Sequence, residues 1–179
     1  MKIYIPPVRV EWKIIEEMSD GLVLEREGLN LITNAGRDLL LKDLFMLSGS
    51  AGVVACGVGA SSTTADVSDT HLTYELIGNA ARKTLTNTNG DPLSGSDIVD
   101  ETTTISSVTY YKKLVCQAVW DSGDSNNGNQ FAEYGLFTTD ALPGTPTGTS
   151  GTMFNHYIDP SPTNKSASNS ITVQITLRF

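Results

Sequence analysis

Apolar and polar residues alternate without a break over the last nine positions, Ile171-Thr172-Val173-Gln174-Ile175-Thr176-Leu177-Arg178-Phe179. Alternation of period two puts Ile171, Val173, Ile175, Leu177 and Phe179 on one face of a strand and Thr172, Gln174, Thr176 and Arg178 on the other. One face joins a core and the other meets water or a neighbour, as in antiparallel sheets. A second alternating run, Val8-Arg9-Val10-Glu11-Trp12-Lys13-Ile14-Ile15, reaches a turn at Ser19-Asp20-Gly21 and returns as Leu22-Val23-Leu24-Glu25-Arg26. Residues 8–26 therefore predict a β-hairpin. Pro6 and Pro7 ahead of it favour an extended lead-in and cannot donate to a ladder.

Between residues 35 and 47 the period changes to that of a helix. Leu40, Leu44 and Leu47 share one face, Leu41 and Phe45 widen it, and Arg37, Asp38, Lys42 and Asp43 point outward. Thr33 or Asn34 can cap this helix through its side-chain oxygen. Further strands are expected over 53–59, 81–85, 102–120 and 131–137, with 102–120 the longest signal. The run Met153-Phe154-Asn155-His156-Tyr157-Ile158 is expected to pair with 171–179, with Pro160 and Pro162 interrupting the connection. Ser, Thr, Asn and Gly fill the segments between these runs. The pattern predicts a mainly β chain, an antiparallel β-sandwich of jelly-roll or Ig-like kind, with one helix near residues 35–47 and an N-terminal β-hairpin. Residues 1–27 form an extended segment and hairpin, a candidate assembly arm, and residues 28–179 the sandwich domain. Trp12, Leu40, Leu44, Trp120, Phe137 and Ile175 are the expected core anchors.

Composition sharpens this picture at three points. A chain of 179 residues can bury a core without covalent staples. A net charge of −8 with a pI near 4.6 argues against binding a phosphate backbone, which needs clustered Lys and Arg. No run approaches the roughly 20 apolar residues of a membrane helix, and residues 1–7 lack the apolar stretch of a secretion leader. Neither a nucleic-acid nor a membrane partner is expected. Cys56 and Cys116 each sit inside an apolar run and read as buried free thiols.

Reactive chemistry is sparse. Gly57-Val58-Gly59 lacks the third glycine of a dinucleotide fingerprint. The loop Asp121-Ser122-Gly123-Asp124-Ser125-Asn126-Asn127-Gly128-Asn129 fails the ligand spacing of an EF-hand, since Gly128 and Gly135 fall where an oxygen ligand and the bidentate Glu should stand. His71 and His156 have no accompanying nucleophile motif and read as surface or satisfied core histidines. Glu75, Glu133 and Asp140 show no spacing that favours a glycosidase pair over solubility charges. No catalytic, cofactor-binding or metal site is expected.

Three blocks recur in a familiar order. The first is Asn30-Leu31-Ile32-Thr33-Asn34-Ala35-Gly36-Arg37-Asp38-Leu39-Leu40. The second is Cys56-Gly57-Val58-Gly59, then Asp69-Thr70-His71-Leu72-Thr73-Tyr74-Glu75-Leu76 and Ala81-Arg82-Lys83. The third is Phe131-Ala132-Glu133-Tyr134-Gly135-Leu136-Phe137 with Gly151-Thr152-Met153-Phe154 and the closing strand. Over residues 28–179 this resembles small virion proteins of tailed bacteriophages, often encoded near tail fibres, and the N-terminal attachment modules of tail-collar fibres. The resemblance implies a non-enzymatic structural protein of the tail, collar or baseplate, made in the host cytoplasm and located in the virion. Its partners would be copies of itself, in a symmetric oligomer, and other phage virion proteins, with fibres or tail components linked through it. A capsid decoration (cement) protein is one alternative. A carbohydrate-binding β-sandwich is another, and it requires Tyr111, Trp120 or Tyr134 to stand exposed. Val8, Val10, Trp12, Ile14, Leu22 and Leu24 are the expected assembly interface, and removing residues 1–27 is expected to leave a folded core.

Overall fold

The alternating C-terminal run becomes β10 (Asn169–Arg178), and the side chains of Ile171, Val173 and Ile175 on its inner face are fully buried. In the computed structural model, which describes residues 8–29, 31–44, 52–78, 80–124 and 130–179, the preceding elements are ten in chain order. They are β1 (Arg9–Met18), β2 (Val23–Leu29), β3 (Leu31–Ile32), α1 (Asn34–Leu44), β4 (Ala55–Gly59), β5 (Arg82–Thr84), β6 (Ile98–Ile105), β7 (Val108–Trp120), β8 (Gln130–Phe137) and β9 (Met153–Asn164). A single 3-10 turn, Gly95–Asp97, precedes β6. The strands form two antiparallel sheets of five, ordered β2-β1-β10-β7-β6 and β3-β9-β8-β4-β5. The chain is thus mainly β, a two-sheet sandwich with one helix, as its alternation predicts.

The hairpin is not an arm beside a finished domain. β1 pairs with β10 along all ten of its residues, Arg9 opposite Arg178 through Met18 opposite Asn169. Its inner side chains Val10, Trp12 and Ile14 are 3%, 1% and 0% exposed. The division into residues 1–27 and 28–179 therefore cuts through one core, and a chain lacking residues 1–27 loses a full ladder and its buried Trp. The expectation that such a truncation stays folded is corrected on that ground.

Two other expectations change for physical reasons. β9 and β10 do not pair with each other; they lie in different sheets, β9 between β3 and β8 and β10 between β1 and β7. The prolines do not end β9. Residues 159–162 loop out opposite the single Ala132, so Pro160 and Pro162 sit in an enlarged bulge where no ladder donor is needed. The signal over 102–120 hides a reversal as well. β6 and β7 form a hairpin through Ser106 and Ser107, at φ 50° and 66°. Two successive positive φ values match the right-handed twist of the flanking strands, but Asn-Gly is the usual sequence for them, and Ser-Ser gives no warning.

The helix begins where expected. Thr33 Oγ1 accepts a hydrogen bond from the Gly36 N–H at 3.0 Å and donates one to the Met153 carbonyl at 2.7 Å, capping α1 and fixing it on β9. Gly36 lies so close to β9 that a Cβ there would stand 2.0 Å from the Phe154 carbonyl oxygen. That approach turns Leu39 into the core, leaves Leu40 half-buried and Leu41 39% exposed. The apolar face is therefore rotated by one residue from the one centred on Leu40. The side chain of Leu44, and Phe45 and Leu47, lie outside the described residues, as do Pro6, Pro7 and residues 125–129 of the polar turn.

Aromatic rings join the sheets. Tyr134 of β8 has its ring centroid 5.8 Å from Trp12 of β1 and 6.4 Å from Trp120 of β7. Phe131 packs edge-on to Trp120 at 5.6 Å, and Tyr157 of β9 stacks on Trp12 at 5.5 Å and 7°. Such pairs add about 0.5–1.5 kcal/mol each beyond their area burial. Truncating Trp12 to Ala should cost about 3–5 kcal/mol in urea unfolding. Tyr134→Phe should change stability by no more than about 1 kcal/mol, or raise it, because the buried Tyr134 hydroxyl has no hydrogen-bond partner among the described residues.

Candidate functional site

Of the six residues expected at an assembly interface, Val10, Trp12 and Ile14 are core side chains of this chain's own sandwich and offer nothing to a partner. Val8 is half-buried and packs against the same core. Leu22 and Leu24 are different: they are 49% and 40% exposed, and Val23 and Leu29 beside them are 48% and 61% exposed. The four belong to β2 or its turn, and β2 is the outer strand of its sheet.

The edges of the two sheets are unequal. β3 and β5 are two and three residues long, too short to recruit a strand. β6 carries a bulge between Asp100 and Thr103, and Lys112 pairs with Asp100 while Lys113 pairs with Glu101 at 2.9 Å along it. A bulge and rows of charge both discourage edge pairing. β2, Val23-Leu24-Glu25-Arg26-Glu27-Gly28-Leu29, has seven residues in unbroken register with β1 and no bulge or Pro, and its charges are Glu25, Arg26 and Glu27, with Arg26 turned inward.

What holds β2 in place is a charge brace on its inner face. Arg26 donates to Asp159 Oδ2 at 3.2 Å and to Thr163 Oγ1, and its guanidinium lies 3.6 Å from Glu16. Glu16 in turn accepts from Thr163 at 3.0 Å and from Asn169 at 2.7 Å. Burial pushes the Asp159 carboxyl above its usual range, while the Ser161 N–H and Arg26 work against that rise. The brace ties β2 to the bulged end of β9. At the other end Gly28 lies under Tyr157, where a Cβ would stand 2.5 Å from the ring.

Two further charge clusters absorb the titratable residues that sequence reading weighed for catalysis. His156 faces Asp69 Oδ2 through Nδ1 at 2.7 Å and Glu133 Oε2 through Nε2 at 2.9 Å. Glu133, wholly buried, also accepts the N–H groups of Thr73 at 2.8 Å, Tyr74 at 2.7 Å and Ser61 at 3.3 Å. Burial opposes the imidazolium, but hydrogen bonds to Glu133 and Asp69 and their charges outweigh it, and the His156 pKa is raised. With a carboxylate on each ring nitrogen, His156 has no free nitrogen to serve as a base. It clamps the 60–74 loop onto β8 and β9. Glu75 and Arg82 form the second cluster, a two-bond pair at 2.5 and 2.9 Å, both side chains almost wholly buried. Arg82 also donates to the carbonyls of Thr139, Ala141 and Ser150 and lies 3.7 Å over the Phe137 ring. Asp140 is exposed, and His71 is half-buried with its Nδ1 3.1 Å from Thr70 Oγ1.

The remaining expectations resolve simply. Tyr111 stands 62% exposed, whereas Trp120 and Tyr134 are fully buried and cannot stack on a ligand. Cys56 and Cys116 are buried free thiols, and burial pushes the Cys116 pKa up to about 12. Among the described residues no group of three or more His, Cys, Asp or Glu is placed to hold a metal ion, and no helix is long and apolar enough to cross a membrane. Sequence reading passed over Glu16, Arg26, Asp159 and the Asp69–His156–Glu133 clamp. Glu133 stands on the face of β8 opposite Tyr134, beneath the 60–74 segment, so alternation alone reads it as solvent-facing and gives no signal of its burial.

Arg82→Met should cost about 3–5 kcal/mol in urea unfolding, because it strands a buried carboxylate and three carbonyls. Adding Glu75→Gln should recover part of that loss. The raised His156 pKa carries a sign: its contribution is complete below the unfolded histidine value of about 6.5 and disappears as pH rises through the folded one. Stability measured from pH 6 to pH 9 should therefore fall more in the parent chain than in His156→Gln. Compared with known proteins, the chain matches no family model, no curated sequence and no solved structure.

Proposed function

We propose that this chain is a non-enzymatic structural protein of a tailed-phage virion, an adaptor of the tail, collar or baseplate that works by symmetric assembly. The observation that carries the reading is the division of labour between interior and edge. Glu133, His156, Glu75 and Arg82 are committed to holding loops on the sandwich, and none of them presents a free reactive atom. The unspent feature is β2, an open strand of seven residues with exposed Leu24 and Leu29. Open strand edges and apolar surface are the means by which structural subunits join neighbours, and closed symmetry then hides them. The resemblance of residues 28–179 to phage tail-associated proteins supplies the setting.

The partners are copies of the chain and other virion proteins. The acidic balance, −8 overall, favours protein over nucleic acid as partner. A carbohydrate-binding role would rest on Tyr111 alone of its three aromatics, since Trp120 and Tyr134 are sealed in the core. Immunogold labelling of intact particles with antibody against this chain should mark the neck, tail or tail tip. Label spread over the head would move the assignment to a decoration protein, and unlabelled particles would overturn the virion reading.

A further inference from the structure

We propose that residues 1–5 of one copy, Met1-Lys2-Ile3-Tyr4-Ile5, add as an extra strand to the β2 edge of a second copy, so that subunits join by exchanging N-terminal arms. This deepens the assembly reading above and rests on it.

The edge is prepared for a strand. Met18 N–H donates to the Leu22 carbonyl at 2.9 Å, which closes the β1–β2 hairpin on a hydrogen-bonded pair. Alternation from that pair puts Leu24, Arg26 and Gly28 in the ladder with β1, and leaves Val23, Glu25, Glu27 and Leu29 with N–H and C=O turned outward. The charge of this edge selects among occupants. On its outer face stand Glu25 and Glu27, and one lysine serves both: Lys13 lies opposite Glu27 in register and pairs with Glu25 at 2.9 Å. The β6 edge of another copy would bring Asp100 and Glu101 against these glutamates, across a bulge. A second β2, paired antiparallel about Arg26, would set Glu25 against Glu27 twice. Like charges directly opposite are destabilising in a sheet.

The N-terminal run has the complementary character. Ile3, Tyr4 and Ile5 are strong strand formers, Lys2 is its only charged side chain, and the run lies outside the described residues. With Lys2 and Tyr4 on the outer face, Lys2 falls beside Glu25 and Glu27. Ile3 and Ile5 then face the open side of the sandwich, where two grooves flank the strand. One, of about 590 Å³, includes Leu24, Met18 and Pro162; the other, of about 280 Å³, includes Leu29, Leu31, Tyr157 and Ile158.

The route favours a neighbour over the chain's own edge. β1 starts at Arg9, near the Leu29 end of β2, because Glu11 lies opposite Leu29. To reach the outer side of its own β2, the arm would have to reverse and cross about 10 Å, two strand spacings, through Pro6 and Pro7. Proline holds φ near −65° and favours extended backbone before it, so continuing outward to a second subunit is the less strained path.

Sedimentation velocity and light scattering on the full chain and on a chain lacking residues 1–5 test this directly. The full chain should form a defined oligomer. The shortened chain should keep the same circular dichroism and run as a monomer. Lys2→Glu and Glu27→Lys should each weaken association about two- to fivefold, and the two together should restore it. If the shortened chain assembles as tightly as the full one, the arm is overturned while the assembly reading stands. If the full chain is monomeric at every concentration, both fall. Ile3→Cys together with Leu24→Cys should cross-link between chains; a bridge formed within one chain would overturn exchange.

Discussion

Everything in this sandwich depends on the contact between Tyr134 and the two tryptophans of the opposite sheet. Tyr134 sits at the middle of β8, and Trp12 and Trp120 come from β1 and β7, the strands on either side of β10. Three rings from three strands thus fix the spacing of the sheets and the position of β10 between its neighbours. The alternation of β10 supplies only small and medium residues at this level, with Ile175 opposite both Trp12 and Cys116. Aliphatic residues at the centre and aromatics on the flanks interdigitate across the gap between the sheets. This is why the N-terminal hairpin cannot be an accessory. It brings one of the two tryptophans.

Once the aromatic layer sets the gap, the periphery must be closed by other means. The two sides of the sandwich do this differently. On the β5 side the chain itself crosses over: after β5, Thr86 exchanges backbone hydrogen bonds with Gln117 of β7 at 2.9 and 2.8 Å, passing from one sheet to the edge of the other. On the β2 side the chain also changes sheets, β2 ending at Leu29 and β3 of the other sheet starting at Leu31, and the Arg26 brace adds a side-chain tie from β2 to the bulged end of β9. Neither device covers the outer backbone groups of β2, whose edge stays open among the described residues.

Legibility in the sequence follows the same division. Where burial acts on one face of a strand, as at Ile171, Val173 and Ile175 or Val10, Trp12 and Ile14, alternation reveals both the strand and its inner face. Thr33 as helix cap is visible for a similar local reason. Features decided by partners distant in the chain are not visible. Leu39 rather than Leu40 faces inward because Gly36 must clear Phe154, a residue more than a hundred positions away. The separation of β9 and β10 into different sheets, and the Ser106-Ser107 reversal, likewise depend on tertiary pairing. At the edge, Leu22 and Leu24 were identified from the hairpin pattern, but the pattern could not divide them from Trp12 and Ile14. That division needs the identity of the strand on the other side of β1.

Buried charge in this chain falls where irregular backbone needs anchoring. Glu133 gathers three N–H groups from the 60–74 segment, and Arg82 gathers three carbonyls from residues 139–150. Those segments have few apolar residues and cannot be held by packing alone, yet their backbone groups are partly withdrawn from water and must find partners. One buried ion with several directed hydrogen bonds meets that need at a single point. Each such ion then requires a counter-charge, which His156 and Glu75 provide. The sequence therefore places reactive residue types in the interior for reasons of loop anchoring, and their clustering near one another reflects that demand. A histidine between two carboxylates would ordinarily invite a catalytic reading. Here the occupied ring nitrogens turn the same geometry into a clamp.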